Sequence, residues 1–238
     1  MTTALVFAGG TGIRMNSRAK PKQFLELHGK PVIIYTLEHF EIHPDIDDII
    51  VVCLSDWIVE FRHMLRQYAF TKVTEIVPGG EGGDKSIYNG LSALSNRCRY
   101  DDIVLIHDGV RPLISSELIS MNIAKVKECG NSITVEAVSE SLVRLDKSGQ
   151  ITDVPPRSEM NVAKAPQSFK FGQIWELYQR AERDGVRTVD SAHLCSVYGV
   201  KMHTVTSTPN NIKITTPADY YIFRALYEAI ENQQIMGL

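Results

Sequence analysis

The chain has 238 residues, 44% of them hydrophobic and 22% charged, which is enough to bury the core of one α/β domain. Its formal net charge is -3 and its sequence pI is near 6.2. Because these values provide no broad basic surface, we expect no nucleic-acid partner, and any anion-binding site must be local.

The cysteines and the hydropathy pattern indicate the cellular compartment of the protein. Cys53, Cys98, Cys129 and Cys195 are far apart and form no C-x-x-C pair, so we expect reduced thiols. No basic segment precedes a long apolar core, and no stretch is long enough to span a membrane. The sequence therefore predicts a cytoplasmic protein with no membrane partner.

The first predicted element is an apolar strand at residues 4–8, which runs into a glycine-rich loop, Gly9-Gly10-Thr11-Gly12. Glycines let the backbone approach a ligand and turn its N–H groups toward one point. Arg14 and Lys22 follow, and they add positive charge. The stretch therefore predicts a loop that binds polyphosphate.

Two common phosphate-binding loops do not match this stretch. The dinucleotide fingerprint G-x-G-x-x-G requires a glycine where Met15 stands, and no glycine here has the spacing of G-x-x-x-x-G-K-S/T. The pattern G-x-G-x-R-M followed by P-K-Q resembles instead the signature loop of nucleotidyltransferases that make nucleoside-diphosphate sugars and polyols.

Strands and helices then alternate along the chain. The predicted elements are a helix at 32–40, a strand at 49–54, a helix from Ser55 to 68, a strand at 73–77, a helix at 86–94, a strand at 103–106, and a helix capped by Ser115 or Ser116 that ends at 129. Strand followed by helix four times predicts an open, mostly parallel sheet.

Three segments are expected at one edge of that sheet. They are the first glycine loop, a second glycine-rich loop at 78–83, and His107-Asp108 with Arg111. Ligands bind at the carboxyl ends of strands in such sheets, so these segments are expected to face one pocket. We interpret His107, which follows an apolar run, as a structural residue rather than a base.

The pattern changes after residue 133. A strand at 133–138 is followed by two-residue alternation at 142–154 around Lys147-Ser148-Gly149, which predicts a β-hairpin. Helices at about 172–184 and 191–198, a strand at 202–207 and a helix from Thr216 to about 231 complete the chain. We expect one domain, 1–238, in which residues 139–160 form an arm for dimerisation, since its edges need cover.

Several segments, in order, resemble the polyol-phosphate cytidylyltransferases: the methylerythritol-phosphate enzyme of isoprenoid synthesis and the ribitol-phosphate enzymes of wall and capsule synthesis. They are AGGTGIRM, PKQFLELHGKPVI, VPGGEGGDKSIYNGL, IHDGVRPLI, APQSF, VDSA and NIKITTPAD. The resemblance implies an α/β, Rossmann-like, mostly parallel open sheet flanked by helices, of the nucleotide-diphospho-sugar transferase type, with a projecting β-hairpin arm.

The resemblance also implies a reaction and its residues. A phosphate oxygen of the polyol attacks the α-phosphorus of CTP, and pyrophosphate leaves. The catalytic residues would be Arg14, Lys22 and Lys213. The nucleotide would contact Ala8, Gly9, Gly10, Thr11, Gly12, Gly80, Glu81, Ser86 and Asp108. The polyol phosphate would contact Asp108, Arg111, Ser141, Lys213 and, from the arm of a second subunit in a homodimer, Arg157. Mg²⁺ is expected on the triphosphate, and Asp108 would contact either that ion or a polyol hydroxyl.

Three departures from the family pattern lie near the expected polyol: Gly83, where an arginine is usual, Glu140-Ser141 in place of Asp-Thr, and Ala165 in place of threonine. Trp57, Val110 and the ITDVPPR run favour D-ribitol 5-phosphate as the acceptor. The alternatives are 2-C-methyl-D-erythritol 4-phosphate as the acceptor, a sugar-phosphate nucleotidylyltransferase that uses another base, and a non-catalytic nucleotide-binding protein.

Overall fold

The computed structural model describes residues 1–10 and 20–236, and a seven-stranded sheet forms its centre. The strands are β1 (Thr2–Ala8), β2 (Glu26–Leu27), β3 (Lys30–Pro31), β4 (Asp48–Cys53), β5 (Val73–Pro78), β6 (Ile103–Asp108), β7 (Asn131–Ala137), β8 (Arg144–Leu145), β9 (Ile151–Asp153), β10 (Asn161–Lys170) and β11 (Thr204–Thr206). The helices are α1 (Val32–Glu41), α2 (Ile58–Gln67), α3 (Gly83–Leu94), α4 (Ser116–Cys129), α5 (Phe171–Asp184), α6 (Ser191–Val197) and α7 (Pro217–Met236).

The central sheet is parallel except for one strand. Its order is β11-β7-β10-β6-β1-β4-β5, and β10 runs antiparallel to both of its neighbours, β6 and β7. The other ladders, β1 with β4 and β6, β4 with β5, and β7 with β11, are parallel. This arrangement confirms the predicted mostly parallel α/β sheet.

Helices cover both faces of the sheet. Side chains of α1, α2 and α4, including Phe40, Phe61 and Ile123, pack against one face, and those of α3, α5 and α6, including Leu91 and Ile174, pack against the other. Successive residues of β1 alternate between the two cores, as the period of a strand requires. A strand buried on both faces is the expected partner of this helix arrangement.

Side-chain hydrogen bonds hold the starts of two helices, and one of them is made by the predicted cap Ser115. Ser115 Oγ accepts a hydrogen bond from Leu118 N at 3.1 Å at the start of α4. At the start of α7, Asp219 Oδ2 accepts from the backbone N–H groups of Thr215 and Thr216 at 2.8 and 2.7 Å. Burial opposes ionisation of Asp219, but these N–H groups hold its pKa below the usual value. The hydrogen bonds to Asp219 fix the backbone conformation of the two residues before α7.

Two details differ from the sequence prediction. Ser55 is not a side-chain cap of a long helix, because residues 55–57 form a 3₁₀ turn and α2 begins only at Ile58. The return from the arm is a ten-residue strand, β10, and not a connecting segment. Its register against β7 shifts between Ala163 and Gln167, which accommodates Pro166 within the strand.

The predicted hairpin is present as β8 and β9, which pair antiparallel. Its turn is held by Asp146, whose Oδ1 accepts hydrogen bonds from Ser148 N at 2.8 Å and Gln150 N at 3.0 Å. Both strands are exposed. No helix within the described ranges is long and apolar enough to cross a bilayer.

Candidate active site

The carboxyl ends of four parallel strands meet at one edge of the sheet and carry the predicted loops. Gly79, after β5, donates from its backbone N–H to Cys53 O at the end of β4, at 2.7 Å. Gly109, after β6, donates to Phe7 O in β1 at 3.0 Å. These bonds bring together loops that are about a hundred residues apart in sequence, as parallel topology predicts.

A cavity of about 460 Å³ lies at this edge. It is lined by Phe7, Ala8, Gly9, Gly10, Lys22, Gln23, Gly80, Glu81, Gly82, Gly83, Ser86, Asp108, Val110 and Lys213. Within residues 1–10 and 20–236, the predicted nucleotide contacts all line this one cavity. Thr11, Gly12 and Arg14 lie outside the described residues.

The two glycine loops contact each other at the cavity wall. A Cβ atom added to Gly9 would lie 3.0 Å from Ser86 Oγ and 3.4 Å from Gly79 Cα, so a larger residue would force the loops apart. Ser86, at the start of α3, holds the second loop: its Oγ accepts from Gly80 N at 3.2 Å and donates to Gly82 O at 2.7 Å. The loops are therefore one preorganised wall.

Lys22 and Gln23 bind the cavity wall to other parts of the chain. The buried Gln23 side chain donates from Nε2 to Ala8 O at 2.6 Å, at the point where β1 becomes the first loop. Lys22 Nζ donates to Ile214 O at 2.9 Å, which joins the turn at residues 22–24 to the segment just before α7. Since Lys213 is the neighbour of Ile214, this bond brings two predicted cations to the same cavity.

Asp108, at the end of β6, is held between two cations. Its Oδ2 accepts from Arg111 Nε at 2.8 Å, and its Oδ1 lies 2.6 Å from Lys213 Nζ. Burial alone would raise the pKa of Asp108, but Arg111 and Lys213 outweigh it and hold this pKa well below the ordinary value. The carboxylate is therefore ionised at neutral pH and fixes the direction of both cations.

A second cavity, of about 250 Å³, adjoins the first. Its lining residues are Phe7, Gly83, Ile87, Ile106, Asp108, Arg111, Ala163, Lys164, Ala165, Gln167, Val189, Asp190, Ser191 and Lys213. Asp108 and Lys213 line both cavities, so they stand at the common wall. Two of the three sequence departures, Gly83 and Ala165, line the second cavity.

Sequence reasoning gave no role to four polar residues of the second cavity: Lys164, Gln167, Asp190 and Ser191. Gln167 Nε2 donates to Asp190 Oδ2 at 3.0 Å, and Lys164 forms an ion pair with Glu136. Gln167 and Asp190 lie within the segments APQSF and VDSA, so the resemblance carried them without a role. The sequence offers one indication that Lys164 is unusual, because it is a charged residue between two alanines and ahead of a proline.

His107, which we interpreted from the sequence as structural, lies in the core next to the cavity wall. Its side chain is fully buried and its ring lies edge-on to Phe40, with centroids 5.2 Å apart. Burial lowers the pKa of His107 to about 3, so the ring is neutral at physiological pH.

Ser141 and Arg157, the predicted arm residues, are exposed and line neither cavity of the single chain. Arg157 Nη1 instead donates to Ser139 O at 3.0 Å, within the arm. Since Arg157 was predicted to reach the site of a second subunit, its position in one chain does not test that role.

The described residues offer a limited donor set for Mg²⁺. They contain no cluster of three or more His, Cys, Asp or Glu side chains suited to a metal ion. At the cavity wall the single buried carboxylate is Asp108, whose Oδ1 faces Lys213. Mg²⁺ is bound in many enzymes by one or two carboxylates together with substrate phosphates, and this donor set fits an ion carried by a triphosphate.

Comparison with known proteins identifies the family of the chain. The family model described as IspD, 2-C-methyl-D-erythritol 4-phosphate cytidylyltransferase, matches residues 2–229. The chain belongs to this family. As a member of the IspD family it is a nucleotidyltransferase, and the predicted cytidylyltransferase activity is confirmed. Its substrates as a class are CTP and a polyol phosphate.

Relatives in the IspD family carry two names. A protein from Vibrio parahaemolyticus named ribitol-5-phosphate cytidylyltransferase is 45% identical over 238 residues, which cover all of both chains. A Geotalea uraniireducens protein named 2-C-methyl-D-erythritol 4-phosphate cytidylyltransferase is 36% identical, over 98% of this chain and 99% of its own. The crystal structure of 4-diphosphocytidyl-2C-methyl-D-erythritol synthase from Anaerococcus prevotii superposes with a TM-score of 0.83 at 25% identity, covering 95% of this chain and 96% of that one.

Proposed function

We propose that the protein transfers CMP from CTP to D-ribitol 5-phosphate, giving CDP-ribitol and pyrophosphate. The observation that carries this proposal is the pair of adjoining cavities with Asp108 and Lys213 at their common wall, in a chain that aligns end to end with a ribitol-5-phosphate cytidylyltransferase. A larger cavity suits the nucleotide, and a smaller one suits the acceptor. Their common wall is where the two phosphates would meet.

The chemistry requires positioning more than proton transfer. An oxygen of the acceptor phosphate forms a bond to the α-phosphorus of CTP, while the bond from that phosphorus to the pyrophosphate oxygen breaks. The attacking phosphate is already an anion, so no protein base is needed, and alignment with charge neutralisation supplies the rate. This requirement is consistent with a neutral, buried His107 and with cations at the wall.

The first cavity is assigned to the nucleotide. The backbone at Ala8, Gly9 and Gly10 would cradle phosphate oxygens, and the sequence extends this loop to Thr11 and Gly12. Lys22 and Lys213 would stabilise charge on the transferring and leaving phosphates, together with Arg14. Gly80, Glu81 and Ser86 would contact the cytosine and the ribose, where the small glycine wall suits a flat base. Ala8, Gly9, Gly10, Lys22, Gly80, Glu81, Ser86 and Lys213 all line this cavity, and Thr11, Gly12 and Arg14 lie outside the described residues.

The second cavity is assigned to the acceptor. Arg111 and Lys213 would bind its phosphate, and Asp108 would orient both cations. Ser141 and Arg157 would come from the arm of a second subunit. Leu145 and Ile151 on that arm are 55% and 61% exposed, and apolar exposure of this kind favours cover by another chain. A homodimer through residues 139–160 of the single domain follows from this assignment.

Mg²⁺ belongs to the proposal as an ion bound chiefly by triphosphate oxygens. Asp108 is the protein carboxylate that would hold it, and when bound the ion would withdraw charge from the leaving pyrophosphate. A cytoplasmic location is also proposed. It is supported by the four free cysteines, three of which have pKa values raised by burial: Cys53 to about 12, and Cys98 and Cys195 to about 11.

A substrate panel tests the proposal. Purified protein would be incubated with Mg²⁺, each of CTP, UTP and GTP, and either D-ribitol 5-phosphate or 2-C-methyl-D-erythritol 4-phosphate, and pyrophosphate release would be measured. We expect turnover with CTP and a higher kcat/KM for ribitol 5-phosphate. A higher kcat/KM for the methylerythritol phosphate would reject the ribitol assignment, and turnover confined to UTP or GTP would reject the nucleotide assignment.

A further inference from the structure

A lysine in the second cavity has no role in the chemistry described so far. Lys164 lies in β10 between Ala163 and Ala165, where the register against β7 shifts. This irregularity lets neighbouring residues of one strand line the same cavity, which regular alternation would prevent. Only 12% of the Lys164 side chain is exposed, and a lysine is rarely so buried unless its charge has partners.

The partners of Lys164 leave part of its donor capacity for a ligand. Its Nζ forms an ion pair with Glu136 Oε2 in β7 and donates to Asn211 O at 3.2 Å. An ammonium group has three donors. Among the described residues, Glu136 Oε2 and Asn211 O account for two of them. Since Lys164 lines the second cavity, a ligand bound there can take the third.

Hydrogen bonds through Asn211 connect Lys164 to Arg111 in the acceptor site. The Asn211 carbonyl oxygen also accepts from Arg111 Nη1 at 2.9 Å, so the two cations share one acceptor. The Asn211 side chain donates from Nδ2 to Ala165 O at 2.7 Å, which fixes this carbonyl against β10. An ion pair that served only the fold would not need to line a cavity, and buried pairs are in any case weak evidence for stability.

The position of Lys164 indicates which part of the acceptor it meets. The attacking phosphate must reach the common wall at Asp108 and Lys213. Lys164 lines the second cavity but not the first. It shares that cavity with Asp190 and Gln167, which offer carboxylate and amide groups. Hydroxyl groups both donate and accept hydrogen bonds, so a mixed set of this kind suits a polyol chain.

We propose that Lys164 donates a hydrogen bond to a hydroxyl oxygen of the polyol chain and thereby selects the acceptor. Glu136 is a positioning residue that directs the ammonium group. This inference rests on the proposed function, which it deepens by assigning a specificity-determining residue. The acceptor it predicts is a polyol phosphate whose hydroxyl chain extends away from the reacting phosphate into the second cavity.

The test compares Lys164→Met with Lys170→Met. Lys170 ends the same strand and has its own ion pair, 2.8 Å from Asp101 Oδ1, but lies outside both cavities. Lys164→Met leaves Glu136 without its cation, whereas the double variant Glu136→Gln/Lys164→Met removes both charges. If the single variant fails to fold, the kinetics of the double variant decide the test. Lys164→Arg keeps the charge. Steady-state kinetics with CTP and ribitol 5-phosphate give KM for each substrate and kcat.

We expect the Lys164→Met and double variants to raise the KM for ribitol 5-phosphate about tenfold or more, as loss of a charged hydrogen bond would. Because the proposed contact is to a hydroxyl group and not to the reacting phosphate, kcat and the KM for CTP should change by no more than about threefold. Lys164→Arg should recover part of the loss, and Lys170→Met should match the wild type.

Two results would overturn the inference while leaving the proposed function intact. One is an unchanged acceptor KM in the double variant. The other is a fall in kcat with no rise in acceptor KM, which would place Lys164 on the reacting phosphate. Wild-type protein that turned over no polyol phosphate with CTP would reject the proposed function, and this inference with it.

Discussion

Lys213 provides the sharpest test of the common wall, because it lines both cavities. Its Nζ lies 2.6 Å from Asp108 Oδ1, and 39% of its side chain is exposed, so the ammonium group can reach a ligand in either cavity. In the proposed reaction this charge lies between the attacking phosphate and the α-phosphate. Lys213→Met keeps the length of the side chain and removes the charge.

The expected loss follows from what the charge does in the transition state. Removal of one preorganised donor typically lowers kcat by about 10² to 10³, or about 2.7–4 kcal/mol. The fold should tolerate the change, since Asp108 keeps its 2.8 Å bond from Arg111. We therefore expect the melting temperature to shift by no more than about 4 °C, which corresponds to about 1 kcal/mol in a chain of this size.

Lys125→Met is the matched control. Lys125 is 2.7 Å from Glu128, and 32% of its side chain is exposed, which resembles the pair at Lys213, but it lies on α4 outside both cavities. Pyrophosphate release at saturating CTP and ribitol 5-phosphate measures kcat for both variants. If Lys213→Met kept kcat within about threefold of wild type, Lys213 would not stabilise the transition state and the assignment would fail.

Three other perturbations test other parts of the site. Gly9→Ala adds a Cβ 3.0 Å from Ser86 Oγ, so we expect the KM for CTP to rise about tenfold, and an unchanged KM would contradict the close loop contact. Since the folded pKa of Asp108 is depressed, its stabilising effect is present above the unfolded pKa near 3.8 and is lost as pH falls through the folded value. The urea midpoints of wild type and Asp108→Asn should therefore differ more at pH 7 than at pH 3, and an equal difference would refute the ion-pair argument. Leu145→Asp/Ile151→Asp should give a monomer by light scattering with reduced turnover, and a fully active monomer would exclude a site shared between subunits.

The fold was predictable where local pattern and tertiary environment agree. Apolar runs such as residues 49–54 became buried strands of the central sheet, and α7 begins at Pro217, directly after the predicted start at Thr216. Strand β10 was missed because Pro166 and Lys164 interrupt its pattern, and sequence rules demote a strand that contains proline. The register shift that accommodates them depends on pairing with β7, which no local pattern records.

Part of the candidate site was also predicted from the sequence. Motif resemblance brought Asp108, Arg111 and Lys213 together, and the structure places them in contact. Lys164 was missed because its meaning depends on Glu136 and Asn211, which are distant in sequence and become neighbours only through the position of β10. Polar residues whose partners come from other strands are the site residues that are hardest to predict from a single sequence.

The free enzyme must hold several cations close together before the triphosphate arrives. Asp108 makes this possible, because its two carboxylate oxygens face Arg111 and Lys213 separately and reduce their mutual repulsion. Lys22 is brought to the same cavity through a carbonyl oxygen of Ile214, which adds no charge. An anionic substrate would take over the role of Asp108 toward Lys213, whose side chain is more exposed than that of Arg111. Of the two cations, Lys213 is therefore the better placed to contact an incoming phosphate.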